Sequence, residues 1–305
     1  MKMTTTRRSA LLFGATLPMT GFLPLGAAAQ SAGATAPPGP GRVTLGEMTL
    51  IPISAGRGKM EKPIDTYALD VDPDVFGTVC EENFLPVDWA GNSYTPTLMR
   101  MGDNTVLFDA GLKPEDTVAA LAAVGVKPED ISHVILTHMH GDHIGGLYGD
   151  GPTFPNAKLI APRLENEYWE GQNSDAYKAK VAPLIEKATL IEDGDEVLPG
   201  VKAEGAYGHT PGHTTYLLTS GDQKLLLTGD SFNHYAFSVQ HPDWKVRFDV
   251  DKDKGIEART KVLERLATDR IPFIGYHMPF PATGFIARNG ENSYRFVPAT
   301  YQFVG

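Results

Sequence analysis

Residues 137–143 read Thr-His-Met-His-Gly-Asp-His and follow directly on the apolar run Val134-Ile135-Leu136. Three imidazoles and a carboxylate therefore fall within six positions at the end of a predicted strand. Crowding so many polar groups at a strand end is unfavourable unless a cation holds them together. Imidazole nitrogen and carboxylate oxygen are the ligands that zinc and its neighbours take. The fold must deliver His138, His140, Asp142 and His143 to one point and bring further ligands there from distant segments. A surface His-rich loop is the bland alternative, and the residues downstream argue against it.

Tyr207-Gly208-His209-Thr210-Pro211-Gly212-His213 lies between two predicted strands, and its glycines and proline make a tight loop that can aim an imidazole inward. His213 is the favoured ligand because it borders the next strand. His209 is expected to donate a hydrogen bond from behind the ligands or to be a structural loop residue. Leu225-Leu226-Leu227-Thr228-Gly229-Asp230 sets an aspartate at the end of an apolar strand, where a carboxylate bridging two cations is strongly stabilised. Asp230 is the expected bridge; a turn aspartate bonded to backbone amides is its ordinary alternative. Ile274-Gly275-Tyr276-His277 repeats the strand end with a histidine, so His277 completes a second group of ligands.

The chain of 305 residues with 42% apolar content is long enough for one large domain or two small ones. Residues 1–29 contain Arg7-Arg8 before a moderately apolar stretch and end in Ala27-Ala28-Ala29, which resembles a twin-arginine export signal. Gly14, Pro18, Gly21, Pro24 and Gly26 make that stretch a poor membrane anchor. A mobile leader is expected over residues 30–41, a folded domain over 42–305, and a periplasmic or secreted location. The first 29 residues carry Lys2, Arg7 and Arg8 and no acid, so the remainder has 24 basic against 37 acidic residues, a net charge of −13. Such a body repels nucleic acid and anionic membrane, and it suits a small uncharged substrate. With Cys80 as the one cysteine, no intrachain disulfide can form, and this residue reads as a small buried hydrophobe.

Strands are expected over residues 43–53, 133–136, 158–161, 189–191, 201–206, 271–275, 284–288 and 294–297. Hairpins are expected over 96–108 and 214–227, the second turning at Ser220-Gly221-Asp222. Helices are expected over 114–124, 163–169, 175–187 and 255–266. Strands interspersed with helices and no obvious linker predict an α/β layered domain with two central sheets.

The ordered set Thr-His-Met-His-Gly-Asp-His, Gly-His-Thr-Pro-Gly-His, Thr-Gly-Asp and a late histidine in a Phe-Pro-rich context resembles the metallo-β-lactamase superfamily. Phe154-Pro155-Asn156-Ala157, residues 208–216, Pro279-Phe280-Pro281 and Tyr294-Arg295-Phe296-Val297-Pro298 are similar to stretches of methyl parathion hydrolases and N-acyl homoserine lactonases. The resemblance implies a four-layer αββα sandwich and two divalent metal ions, zinc by expectation. It places His138, His140 and His213 on one metal, Asp142, His143 and His277 on the other, and Asp230 on both. Asp109 and Thr137 resemble positions that hydrogen-bond the ligand imidazoles. True β-lactamases of the superfamily lack the bridging carboxylate, and oxygen-reducing di-iron relatives carry glutamate where His140 stands.

Two cations sharing a carboxylate make water a nucleophile at neutral pH, so no separate base is required. Asp142 or a nearby water is expected to return a proton to the leaving alkoxide. Some lactonases have an assisting tyrosine shortly after the bridging aspartate; here Ser231-Phe232-Asn233-His234-Tyr235 follows, with either His234 or Tyr235 as the substitute or His234 as a rim histidine with no catalytic part. Trp89, Phe232, Phe237, Trp244 and Phe280 are candidates for an apolar pocket. The leading expectation is hydrolysis of a neutral ester-type bond such as an N-acyl homoserine lactone. Phosphotriester hydrolysis is the alternative, followed by a mononuclear iron thiol or persulfide oxygenase or a silent metal-binding module. A homodimer is left open by the resemblance.

Overall fold

The computed structural model describes residues 41–300, 302 and 303. The expected export signal and all but the last residue of the expected leader lie outside the described residues. From there the chain forms β1 (Val43–Leu45) and β2 (Met48–Pro52), then an arm made of β3 (Arg57–Glu61), the short α1 (Ile64–Tyr67), α2 (Pro73–Glu82) and β4 (Trp89–Ser93). The hairpin β5 (Thr97–Met101) and β6 (Asn104–Phe108) leads into α3 (Pro114–Ala123), β7 (His133–Ile135) and the one-turn α4 (Gly141–Ile144). Next come β8 (Lys158–Pro162), α5 (Arg163–Gly171), α6 (Asp175–Lys180), α7 (Ala182–Ile185) and β9 (Thr189–Ile191). The second half contains β10 (Glu196–Leu198), β11 (Val201–Gly205), β12 (Thr214–Ser220), β13 (Gln223–Leu227), α8 (Phe237–Gln240), α9 (Lys252–Asp269), β14 (Phe273–Ile274), β15 (Thr283–Arg288) and β16 (Tyr294–Pro298).

Two seven-stranded sheets result, ordered β1-β2-β5-β6-β7-β8-β9 and β10-β11-β12-β13-β14-β15-β16, with β3-β4 as a separate ribbon. Alternation along the strands explains why both faces of the first sheet are buried. Leu50, Met99, Val106, Phe108, Ile135 and Ile160 face the second sheet, where they meet Val201, Tyr216, Leu218 and Leu225. Their neighbours Ile51, Leu98, Leu107, Val134 and Leu159 face the opposite way, against Leu121 of α3 and Tyr177 of α6. Leu263 and Leu266 of α9 join the core of the second sheet. The order helix, sheet, sheet, helix is the expected four-layer αββα sandwich.

Local chemistry sets the helix ends. Pro114 opens α3, with Glu115 and Asp116 beside the positive end of its dipole. Asp251 caps α9 by accepting from Lys254 N. The helix expected over 175–187 divides in two, because Pro183 lies at the start of α7 and has no N–H to donate. Among the described residues, no helix is long and apolar enough to cross a membrane.

The pairings β6 with β7 and β13 with β14 are parallel. Parallel neighbours present their carboxyl ends at the same edge of a sheet. Asp109 follows β6, residues 137–143 follow β7, Asp230 follows β13 and His277 follows β14, so one edge collects all four segments. Thr214 N donates to Thr137 O, and Tyr216 Oη donates to Leu136 O at 2.7 Å, which ties the second sheet to the end of β7.

Candidate metal centre

Three imidazole nitrogens meet at the end of β7. His138 Nε2 lies 3.1 Å from His140 Nδ1, which lies 3.0 Å from His209 Nε2. One proton can sit between only two of these nitrogens, whereas a cation can satisfy all three. The far side of two rings is held by hydrogen bonds. His138 Nδ1 is 3.1 Å from Thr137 Oγ1, which donates to Asp109 Oδ2, and His209 Nδ1 is 2.9 Å from Asp249 Oδ1. Carboxylates placed behind ligand imidazoles in this way fix the ring and its tautomer.

A second group stands beside the first. His277 Nε2 lies 3.3 Å from Asp142 Oδ2 and 3.1 Å from Asp230 Oδ2. His277 Nδ1 donates to the Ser93 carbonyl at 2.8 Å, and His143 Nδ1 donates to Asp109 Oδ2 at 2.9 Å. Asp230 reaches both groups, since its Oδ2 is also 3.3 Å from His209 Nε2 and its Oδ1 is 3.2 Å from His143 Nε2. His143 Nε2 and Asp230 Oδ1 are buried without a hydrogen-bond partner, although they are near one another. Two such atoms facing inward are strongly unfavourable unless a positive charge lies between them. His138, His140 and His209; His138, His143 and Asp230; and Asp142, His143 and His277 each have ligand atoms close enough to share one ion. The residues present fit two divalent cations.

Electrostatics agrees with that fit. Burial, reinforced by neighbouring imidazoles, pulls His138 far below the ordinary histidine range and takes His140 down to about 3. Burial also opposes charge on His209 and His277, but the hydrogen-bonded carboxylates outweigh it. Asp230 and Asp249 raise His209 to about 9, while Asp230 and Asp142 raise His277 to about 10. Desolvation disfavours charge on Asp142, yet His143 and His277 hold it down at about 2. A cation binding here displaces protons from the raised imidazoles, so affinity increases with pH.

The structure brings together seven ligand candidates, but His209 takes the place expected for His213. Both nitrogens of His213 are engaged with backbone: Nε2 accepts from Asp230 N at 2.9 Å, and Nδ1 donates to Ala206 O at 3.1 Å. His213 thus anchors the backbone of Asp230, while His209 supplies the third imidazole of the cluster. Gly229 makes this approach feasible, since a Cβ there would lie 2.7 Å from His213 Nε2 and the residue has φ +49°. Asp109 and Thr137 stand where expected, with Asp109 Oδ1 also accepting from Thr137 N at 2.8 Å.

His234 is placed differently from a catalytic group. Its Nδ1 accepts from Ala236 N and Phe237 N, and its ring stacks on Phe237 at 4.1 Å and on Tyr235 at 5.0 Å. The pocket over the ligands, about 360 Å³, is bounded instead by Tyr67, Tyr94, Asn92 and Asn233, with Met60, Leu112 and Phe248 as its apolar part. Phe232 and Phe237 are fully buried in the core and Trp244 nearly so; none of the five expected aromatics borders this pocket. Tyr67, Tyr94 and Phe248 had no readable signal, because they come from the arm and from an irregular loop. Asp249 was equally hidden. It sits under His209 with Arg259, whose Nη1 is 3.4 Å from Asp249 Oδ2 and whose Nε and Nη2 donate to Pro242 O and Trp244 O.

Comparison with known proteins agrees with this architecture. A curated N-acyl homoserine lactonase from Bacillus sp is 38% identical over 116 residues, which cover 37% of this chain and 44% of that protein. A second, from Bacillus cereus, is 36% identical over 111 residues, covering 36% of this chain and 42% of its own. The chain thus matches less than half the length of either relative. The solved structure of AidC, a dizinc quorum-quenching lactonase in complex with a product, superposes with a TM-score of 0.78 at 22% identity, covering 86% of this chain and 97% of that one. Residues 91–272, more than half of the sequence, match the metallo-beta-lactamase superfamily, and the chain belongs to that superfamily.

Proposed function

We propose that the protein is a hydrolase that uses two zinc ions to open a neutral lactone of the N-acyl homoserine type. The observation that carries this reading is Asp230, whose two oxygens lie 3.1–3.3 Å from imidazoles of both ligand groups. A divalent pair supplies Lewis acidity toward a carbonyl oxygen and makes water nucleophilic at neutral pH. In this reading His138, His140 and His209 hold one ion, Asp142, His143 and His277 the other, and Asp230 both.

The protein groups do the remaining work. Asp142 borders the pocket and is held as a carboxylate, placed to relay the proton of the newly added hydroxyl group to the departing alkoxide. Asn233 and the hydroxyls of Tyr67 and Tyr94 offer hydrogen bonds to a carbonyl on the pocket wall, and Met60, Leu112 and Phe248 suit an acyl chain. The lactonase relatives support a lactone substrate, and the acidic body supports an uncharged one. The twin-arginine reading of residues 1–29 adds export to the proposal.

The test is a kinetic panel on zinc-reconstituted protein, comparing an acyl homoserine lactone with a paraoxon-type triester, together with metal analysis. A kcat/KM for the lactone at least on the order of tenfold higher, with about two zinc per chain, is the expected result. A triester preference reverses the substrate assignment. About one iron per chain with oxygen consumption and no hydrolysis overturns the whole reading.

A further inference from the structure

We propose that Glu165 is a positioning residue for the site formed by His138, His140 and His209, an assignment that rests on the reading of those imidazoles as metal ligands. Glu165 lies in the first turn of α5 and is completely buried. A carboxylate so placed is unfavourable unless its oxygens are well supplied with donors. Four are present. Oε1 accepts from Met139 N at 2.9 Å and from Trp169 Nε1 at 2.5 Å, and Oε2 accepts from Thr210 Oγ1 at 2.7 Å and Gly212 N at 3.0 Å.

Three of those donors lie on the ligand loops, and the fourth, Trp169 of α5 itself, reaches toward one of the imidazoles. Met139 separates His138 from His140. The Trp169 ring packs edge-on against the His140 ring, with centroids 5.5 Å apart. Thr210 follows His209, and Gly212 precedes His213. One side chain therefore fixes the backbone of the loop after β7 and the backbone of the loop before β12, which between them carry the three imidazoles. Gly212 shows how closely α5 is pressed against that second loop, since a Cβ at this position would lie 2.1 Å from Glu165 N. The group contacts no ligand side chain; it acts by holding apart-lying segments at the separation that lets their nitrogens converge.

The chemistry of the contacts demands a carboxylate. Met139 N–H, Trp169 Nε1–H and Gly212 N–H can only donate, and each oxygen receives at least one of them. In a Glu165→Gln variant the amide NH₂ faces a fixed donor whichever way it is turned. The fold can survive this exchange while the two loops move relative to one another. The consequence falls on the three-imidazole site more than on Asp142, His143 and His277, to none of which Glu165 is hydrogen-bonded.

Zinc titration of the metal-stripped full chain against a chromophoric chelator tests the assignment. For Glu165→Gln, one of two zinc equivalents should weaken by roughly ten- to a hundredfold, the range seen when support behind a metal site is lost, with the other unchanged. Thr210→Ala, which removes one donor of four, should shift the same step by less. Glu167→Gln, on the exposed side of the same helix, should shift neither. A folded Glu165→Gln protein with both affinities at the wild-type value overturns the assignment, as does equal weakening of both steps, which marks general destabilisation. If Glu165→Gln does not fold, unchanged affinities in Thr210→Ala overturn it. Wild-type protein that takes up no zinc overturns the metal reading itself, whereas wild-type uptake with unshifted variants overturns the role of Glu165 alone.

Discussion

His209 and His213 occupy the same loop, but the first turns a nitrogen toward His140 and the second gives both nitrogens to the backbone. His209→Ala should therefore lose about one metal equivalent by mass spectrometry, with thermal stability of the metal-free protein little changed. His213→Ala leaves Asp230 N–H and Ala206 C=O without partners and should lower stability by about 2–6 kcal/mol, judged from the penalty for each buried unpaired group. The reverse pattern would return His213 to the ligand set. His234 gives a separate prediction through pH. Burial takes its imidazole down from 6.5 to about 3 in the folded protein. Between those values the unfolded chain binds the proton and the folded one does not, so stability falls as pH decreases through that window, by up to about 1.4 kcal/mol per unit. His234→Phe should show one proton less in the pH dependence of denaturant unfolding of the zinc-loaded protein between pH 6.5 and 4. An unchanged slope would mean that His234 is not held neutral.

Elements with strong local signals were legible: Pro114 and Gly125 bracket α3, the Gly102-Asp103 turn joins β5 to β6, and the apolar run before Thr137 marks β7. The arm was not. β3 alternates exposed and half-buried residues, β4 reads Trp-Ala-Gly-Asn-Ser, and each pairs only with the other, so neither has the apolar periodicity of a core strand. That arm nonetheless supplies the Ser93 carbonyl to His277 and puts Met60, Asn92 and Tyr94 at the pocket. Met60→Ala should raise KM for a long-chain acyl lactone several-fold more than for a short-chain one, leaving kcat close to wild type. Equal KM changes for both chains would place the acyl group elsewhere. The missed α2 did carry a signal, since Asp72 caps the helix and Pro73 opens it.

At the scale of the molecule, the candidate ligands come from two sheets whose strands are far apart in sequence, so metal held there would crosslink the two halves of the sandwich. Ligands that bind only the folded state stabilise it by mass action, about 2.7 kcal/mol for each site at a concentration one hundred times Kd. For a domain of this size each kcal/mol moves the midpoint by about 2–4 °C. Exhaustive chelation should thus lower the melting temperature by at least about 5 °C and abolish lactone hydrolysis, with both restored by zinc. Equal melting temperatures for stripped and reloaded protein would show that the cluster holds no metal in the folded state.

The sequence alone located the candidate metal centre and the segments that build it. So many imidazoles and carboxylates concentrated at the ends of apolar strands are unfavourable without a cation, and strand periodicity placed those ends. It also led to the layered α/β class, because runs such as Leu225-Leu226-Leu227 must be buried on both faces. Only the tertiary structure decided between His209 and His213, since both lie on the same loop and the choice depends on which nitrogen the far sheet edge leaves free. The same holds for Asp249 under His209 and for the pocket wall built by the arm. These depend on distances between segments that are remote along the chain, and no local pattern of residues encodes them.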